Sequence, residues 1–358
     1  MYLIRPITLD DLPALLALTS LTGFGLTTLP NDERLLKRRI KESLRGFDKL
    51  ADDDPPIGET YLFVMEHLPT KQVCGTCGIV SKVGGFEPFY AYRIETSIHQ
   101  SEVLHVRKEI RTLHLVEMHS GPCEIGSLFL SPQHRAGGNG RLLSLSRFLF
   151  MANNPAYFDP MVIAEMRGVL DATGHSPFWD AVGHHFFDID FPKADYLSMV
   201  NKRFIADLMP KHPIYIPLLP KEAQDVIGEV HQHTNPAMRI LEDEGFECCD
   251  MVDIFEAGPV VRCALNQIRT IRESRQTTLT AIADTPAAEG AETYLISNCR
   301  QDYRAAKAPL TLGDAGQVTL AADLAAALNL KVGDPLRYAP LRATPKAHRY
   351  HDANVSFD

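Results

Sequence analysis

The sequence predicts an α+β fold: a mixed, mostly antiparallel sheet flanked by helices, with a small β-rich unit at the C-terminus. Three observations carry this. Strand and helix patterns alternate at the N-terminus, four successive segments between residues 60 and 118 read as strands with no helix between them, and a strand, glycine turn, helix, strand run occupies residues 128 to 169. With 358 residues, 45% of them hydrophobic, there is ample material for a large core. The opening "MYLIRPITLDDLPALLAL" lacks a basic segment followed by an unbroken apolar run, and no window reaches the ~20 apolar residues of a membrane span. Seven scattered cysteines, an odd number, do not read as a disulfide framework, so the expected compartment is the cytoplasm. A formal charge of −9 argues against a nucleic-acid surface, which would be basic.

The elements follow in order. "YLIRP" is a short strand, and Thr8 with Asp11 forms a capping-box pattern ahead of a helix carrying Leu12, Leu15, Leu16 and Leu18. "GFGLTTLP" is a glycine-rich loop, and "NDERLLKRRIKESL" restarts as a charged amphipathic helix with Asn31 as its expected cap. "TYLFVMEH", "QVCGTCGIVSKV", "YAYRIETSIH" and "EIRTLHLVEM" carry β-branched and aromatic residues between turn signals, hence a largely antiparallel run. "SPFWDAVGHHFF" and "NPAMRILEDEGFE" share a pattern: a cap and proline (Ser176-Pro177, Asn235-Pro236), a short helix, and a glycine stop (Gly183, Gly245) expected to lead into a strand. From about Thr277 the composition turns to Ala, Thr and Asp, "ADTPAAEGAE" reads as a linker, and "QVTLAADLAAALNLKVGDPLRYAPL" reads as strand, helix, turn at Gly333-Asp334, strand. The polar tail "ATPKAHRYHDANVSFD" carries no pattern.

The stretch "LFLSPQHRAGGNGRLLSLSRFLF" places three glycines in four residues between an apolar strand and an apolar helix. A chain reversal needs one. Backbone amides at a helix start have no partner within the helix and sit at its positive dipole end, so glycines there let an anion approach without meeting Cβ atoms. The P-loop pattern fails, because Gly140 is followed by Arg141-Leu142 rather than Lys-Ser/Thr. The dinucleotide fingerprint fails too, because Leu143 stands where its third glycine belongs. What fits is Arg135-x-x-Gly138-x-Gly140.

That loop resembles the coenzyme A diphosphate loop of the GCN5-related N-acyltransferases, which implies their fold and a diphosphate held by Arg135, Gly137, Gly138, Asn139 and Gly140. The resemblance further implies that the strands on either side of the loop helix splay apart, freeing backbone groups near Leu128 to polarise a thioester carbonyl. Longer runs narrow the likeness. "GLTTLP", "LFLSPQHRAGGNGRLLSLSRFLFMA", "VIAEMRGV", "SPFWDAVGHHFF", "FIADLMPKHPIY", "AQDVIGEVH" and "VDIFEAGP" together resemble the arginine N-succinyltransferase family. The expected reaction is transfer of the succinyl group of succinyl-CoA to the α-amino group of L-arginine, with the acyl-CoA as co-substrate and no permanently bound cofactor. By this resemblance Leu128 contacts succinyl-CoA and His231 is the proton donor; the tyrosine used elsewhere in the superfamily is replaced by Leu241 and Trp179 at the corresponding spacing before Gly245 and Gly183.

Glu124 and Glu165, on the strands flanking the loop helix, are candidates for a base or for the guanidinium site, and the loop "GFGLTTLP" with Thr27 is a candidate lining of the arginine pocket. No metal is expected: His231-x-His233 has no third ligand at a fitting spacing, Cys74-x-x-Cys77 has no second pair, and His348 and His351 lie in the tail. No serine or cysteine shows a motif for a covalent acyl-enzyme, so attack within a ternary complex is expected. Ornithine or another amine as acceptor stays open, as does a non-catalytic CoA-binding subunit. The expected organisation is an acyl-CoA N-acyltransferase domain over 1–275, elaborated from about 190, a linker over 276–290, a β-rich domain over 291–342 and a flexible tail over 343–358. Small-molecule substrates, no nucleic acid, no membrane, and a homodimer or a heteromer with a paralogous subunit complete the expectation.

Overall fold

The computed structural model describes residues 1–22, 28–50, 55–171, 173–283, 292–313 and 317–343. The first half runs β1 (Tyr2–Pro6), α1 (Leu12–Thr19), α2 (Glu33–Lys49), β2 (Thr60–His67), β3 (Gln72–Val80), β4 (Phe89–Ser101), β5 (Val106–Met118), β6 (Cys123–Leu130), α3 (Asn139–Asn153) and β7 (Met161–Glu165). A mainly helical stretch follows: α4 (Pro177–Ala181), α5 (His184–Phe187), α6 (Phe191–Val200), α7 (Arg203–Leu208), β8 (Ile214–Tyr215), α8 (Lys221–Val226) and α9 (Asn235–Asp243). The chain then forms β9 (Glu247–Val252), β10 (Pro259–Ala264), α10 (Arg269–Glu273), β11 (Arg275–Ala283), β12 (Thr293–Asn298), β13 (Ala305–Pro309), β14 (Thr311–Leu312), β15 (Val318–Ala321), α11 (Ala322–Ala327) and β16 (Pro335–Pro340). No described helix is long and apolar enough to cross a membrane.

All these strands join one sheet, in the order β14-β15-β11-β16-β12-β13-β1-β2-β3-β6-β7-β10-β9-β4-β5-β8. Pairing is antiparallel except β6 with β7 and β11 with β15. The expected mixed, mostly antiparallel sheet is therefore what forms. "TYLFVMEH" reads as nearly unbroken apolar because β2 is buried on both faces. Tyr61, Phe63 and Met65 point to one side, where α3 packs Leu145, Phe148 and Leu149; Leu62 and Val64 point to the other, against Leu15, Leu36 and Ile40 of α1 and α2. Each of those α3 side chains is fully buried and contributes about 1.5–3 kcal/mol. A separate cluster centred on Phe178, Trp179 and Phe191 seats the helical stretch on Tyr90, Tyr92 and Leu113 of the β4–β5 hairpin.

Several local expectations shift. The Thr8/Asp11 box forms, with the Asp11 carboxylate accepting the Thr8 amide at 2.8 Å, but α2 is capped by Asp32, whose Oδ1 accepts the Leu35 amide at 2.9 Å, and not by Asn31. Ser176 caps α4 as expected, by accepting the Trp179 amide at 3.0 Å. Gly183 does not lead into a strand: its φ is −62°, α5 follows, and a Cβ there would lie 2.2 Å from the Trp179 ring. The glycine is needed for close packing rather than for a left-handed stop. Thr234 takes the cap position of α9 and Asn235 is its first residue. The first part of the stretch expected as a linker, 276–283, belongs instead to β11, because residues 275–278 pair with β16 and Leu279 is completely buried, while 284–290 lies outside the described residues.

Candidate active site

β6 ends at Leu130, a short turn over Pro132–His134 follows, and α3 starts at Asn139. Gly137 and Gly138 hold φ of 58° and 80°, two successive left-handed residues that side chains tolerate poorly. Gly140 is different. Its backbone is already helical, and a Cβ built there meets nothing within 4 Å, so the protein itself gives no reason for glycine, which costs about 0.5–1 kcal/mol against alanine in a helix. The Gly138, Gly140 and Arg141 amides have no backbone acceptor among the described residues, whereas the Asn139 amide bonds the Ala136 carbonyl at 3.1 Å. The Asn139 and Arg135 side chains brace the loop from within: Asn139 Nδ2 donates to the His134 carbonyl at 3.0 Å, and Arg135 Nε donates to the Leu130 carbonyl at 2.8 Å while its guanidinium sits 5.6 Å from the Phe129 ring centroid. One residue the sequence reading missed reaches the loop from far along the chain. Lys307 Nζ, from β13, donates to the Gly137 carbonyl, has no carboxylate within ion-pair range among the described residues, and is pushed down in pKa by burial. Its only sequence signal is a lone charge inside "AAKAP".

β6 and β7 pair only at Cys123–Val162 and Glu124–Ile163, and the strands then part company, β7 continuing along β10 to Glu165. On the other side, the β3–β6 ladder jumps from Gly126 opposite Gly78 to Phe129 opposite Thr76. Ser127 and Leu128 thus stand against Cys77 alone, a β-bulge with Ser127 at φ 52°. The bulge falls on the stretch of β6 that has already lost its β7 partner.

Carboxylates gather beside that gap. The Glu124 carboxyl is raised by burial, against the pull of Lys202 and Arg39; Glu165 is raised much further by burial and by the nearby Glu124 and Asp253. The Glu165 side chain reaches solvent, and its three acidic neighbours, Glu124, Asp253 and Glu256, all push its pKa upward. Asp253 and Glu256, in the turn between β9 and β10, are likewise raised by burial. Glu256 Oε1 accepts the Gly168 amide at 2.7 Å, and its buried Oε2 has no partner among the described residues. Neither residue was singled out from sequence, because only folding brings the β9–β10 turn over the end of β7. From α2, Arg39 Nη2 donates to Ser127 Oγ at 3.3 Å.

His231 is half-buried beyond the end of β7, its amide donating to the Arg167 carbonyl at 2.8 Å. Its Nδ1 accepts the His233 amide at 3.2 Å, which places the proton of the neutral ring on Nε2. Burial lowers its pKa, with Arg167 and His233 acting in the same direction. The structure gives it no hydrogen bond to the glycine loop or to Glu124 and Glu165. Thr27 lies outside the described residues, as do His348 and His351. No group of three or more metal-ligating side chains occurs among the described residues. A cavity of about 380 Å³ on the β4–β5–β9 side is lined by Ile94, Thr96, Arg111 and Cys248 and, next to the β9–β10 turn, by Val252 and Pro259; Glu124, Glu165 and the glycine loop do not line it.

Two family models match the chain: the arginine N-succinyltransferase beta subunit over residues 2–270, and the C-terminal domain of that subunit over residues 275–340. Arginine N-succinyltransferase of Citrobacter koseri is 42% identical over 347 residues, spanning 97% of this chain and 99% of that protein. The same enzyme from Salmonella schwarzengrund is 43% identical over 351 residues, spanning 97% and 99%. Among solved structures, the arginine/ornithine succinyltransferase subunit AI from Pseudomonas aeruginosa superposes with a TM-score of 0.86 at 32% identity, covering 96% of this chain and 99% of that one.

Proposed function

Because the chain belongs to the arginine N-succinyltransferase family, we propose that it transfers the succinyl group of succinyl-CoA to the α-amino group of L-arginine. The observation that carries the site is Gly140: a glycine in a helical backbone with open space where its Cβ would be, beside amides left without backbone acceptors. A ligand explains that glycine where the protein does not. We read the core through β10 as a GCN5-related N-acyltransferase-like arrangement, supported by the parted parallel strands, the bulge and the helix that starts on glycines. The CoA diphosphate lies on the amides of the 137–140 turn, with Lys307 supplying a cation from the C-terminal unit, and the pantetheine arm runs into the gap so that the thioester carbonyl meets the chain at Leu128.

Arginine approaches from the carboxylate side. Glu124 and Glu165, with Asp253 and Glu256 behind them, offer negative charge to a substrate carrying two cationic groups. The α-ammonium must lose a proton before it attacks. Neutral His231 fits that duty once the His233 amide releases Nδ1: Nδ1 takes one proton from the α-ammonium, the amine nitrogen bonds to the carbonyl carbon, the C–S bond breaks, Nε2–H passes to the departing sulfur, and the second proton that nitrogen sheds on becoming an amide goes to water. The ring ends neutral, and the products are N-succinylarginine and free CoA. Attack is direct, within a ternary complex.

The test is free-thiol release by the purified chain with succinyl-CoA or acetyl-CoA and L-arginine or ornithine. Thiol with succinyl-CoA and arginine supports the reading; thiol with none of the pairings leaves a non-catalytic CoA-binding subunit. The loop is tested by Gly140→Val, whose side chain has room in the free protein but not beside a diphosphate. The variant should keep its Tm and raise the KM for the acyl-CoA about 10-fold or more, about 1.4 kcal/mol of lost binding. An unchanged KM would mean that the diphosphate lies elsewhere.

A further inference from the structure

We infer that Arg39, on α2, holds the terminal carboxylate of the succinyl group and so selects this acyl donor over one without a charge. The inference rests on the reading above, in which the thioester carbonyl lies at Leu128. Arg39 meets the sheet one residue earlier. Its Nη2 donates to Ser127 Oγ at 3.3 Å, and Ser127 is the left-handed residue that forms the bulge. Succinyl differs from acetyl by a carboxylate two methylenes beyond the carbonyl carbon, so a guanidinium beside the bulge is placed to meet it.

The state of the guanidinium supports the assignment. Arg39 makes no ion pair among the described residues, although its neighbour Arg38 faces Glu42 at 3.7 Å. Its Nε is buried with no hydrogen-bond partner among the described residues. Buried arginines are normally matched by a carboxylate or by carbonyls, since an unpaired buried cation is costly. Here burial depresses the guanidinium pKa, with Arg38 adding to it and only the longer-range pull of Glu42 and Glu124 opposing it. A five-donor fork with one hydroxyl partner has donors left for a two-oxygen anion. Lys202, the other cation facing these carboxylates, makes no hydrogen bond to the bulge among the described residues. The sequence hides the role: in "ERLLKRRIKESL" Arg39 looks like one more charge on the wet face of an amphipathic helix.

The competing role is structural, with Arg39 only steadying Glu124 or the bulge. The two roles separate by titrating the full chain with two thioether analogues of the acyl-CoA, one ending in the carboxylate and one ending in a methyl group. The wild type should bind the carboxylate analogue roughly 10- to 100-fold more tightly, the range of a charge-assisted hydrogen-bonded pair. Arg39→Met should abolish that preference and retain the affinity for the methyl analogue, and Arg39→Lys should restore part of it. Equal weakening of both analogues in Arg39→Met, or persistence of the preference, overturns the assignment. So does a wild type with no preference, which guards against a variant that fails to fold. Turnover of succinyl-CoA with L-arginine, measured alongside, reports on the parent reading: carboxylate preference without turnover sinks that reading and leaves the Arg39 assignment standing.

Discussion

At His231 the contact with the His233 amide and the burial of the ring both favour the neutral imidazole, so protonation is delayed to lower pH than for a free histidine. If the neutral ring accepts the substrate's proton, kcat falls as the ring becomes protonated. The expected profile rises with pH, is half-maximal below 6.5, and is flat above. His231→Ala should lower kcat roughly 10²- to 10⁴-fold and remove that acid limb. A limb that persists in the variant would assign it to another group, with Glu124 and Glu165, both raised, the first to examine. At this scale the sequence singles out what lies close together or inside a motif: the three glycines, Leu128, and His231 by family likeness, whose proposed roles await the measurements above. Arg39, Asp253, Glu256 and Lys307 are not singled out, because each reaches the site from an element distant along the chain, and a charge on a helix or in a turn carries no mark of what it will face. Arg135 and Asn139 lie in the loop as expected, yet both side chains turn inward to brace it, which spacing alone does not disclose.

Between elements, one buried tie is charged. Arg269 of α10 is 5% exposed and Glu244, just after α9, is fully buried; Nη2 and Nε reach the same carboxylate oxygen at 2.6 and 3.0 Å, while the other oxygen accepts the Thr270 amide at 2.7 Å. Arg269 also donates to the Pro340 carbonyl at 3.1 Å, so one side chain joins the end of α9, α10 and β16. Arg269→Ala leaves a buried carboxylate short of its cation and should cost about 3–5 kcal/mol, measured as a lowered urea midpoint with an unchanged slope. A loss under 1 kcal/mol would mean that water enters and solvates Glu244. The long alternating runs of β2 to β5 were readable because period-two burial writes itself into composition. Shorter elements were not: α5, β8 and β14 span four residues or fewer, too short for a period to show, and β11 was taken for the start of a linker because its exposed face, with Gln276, Thr278 and Thr280, looks like loop composition.

The whole molecule is one sheet whose two parts meet where β1 pairs with β13 through Ile4 and Ala305. Composition changes near residue 277, but nothing in it indicates that the later part completes the earlier one's sheet. Long-range strand pairing leaves no local trace. Lys307 sits on that seam and overhangs the glycine loop, so the C-terminal unit should bear on acyl-CoA binding. Lys307→Ala is expected to raise the KM for the acyl-CoA roughly 3- to 10-fold in steady-state kinetics, about 0.7–1.4 kcal/mol, with arginine KM unmoved and the effect shrinking as salt is added. An effect indifferent to salt would point to lost packing instead of lost charge.

The pairing of Ile4 with Ala305 also sets a timetable for biosynthesis. During synthesis β1 has β2 available early, but its partner on the other edge, Ala305 of β13, is made far later. An exposed strand edge invites pairing with other chains for as long as it is open. A message cut short between β2 and β13 therefore leaves the outer edge of β1 open as a nucleus for aggregation, and slow translation of the stretch between them prolongs the same exposure.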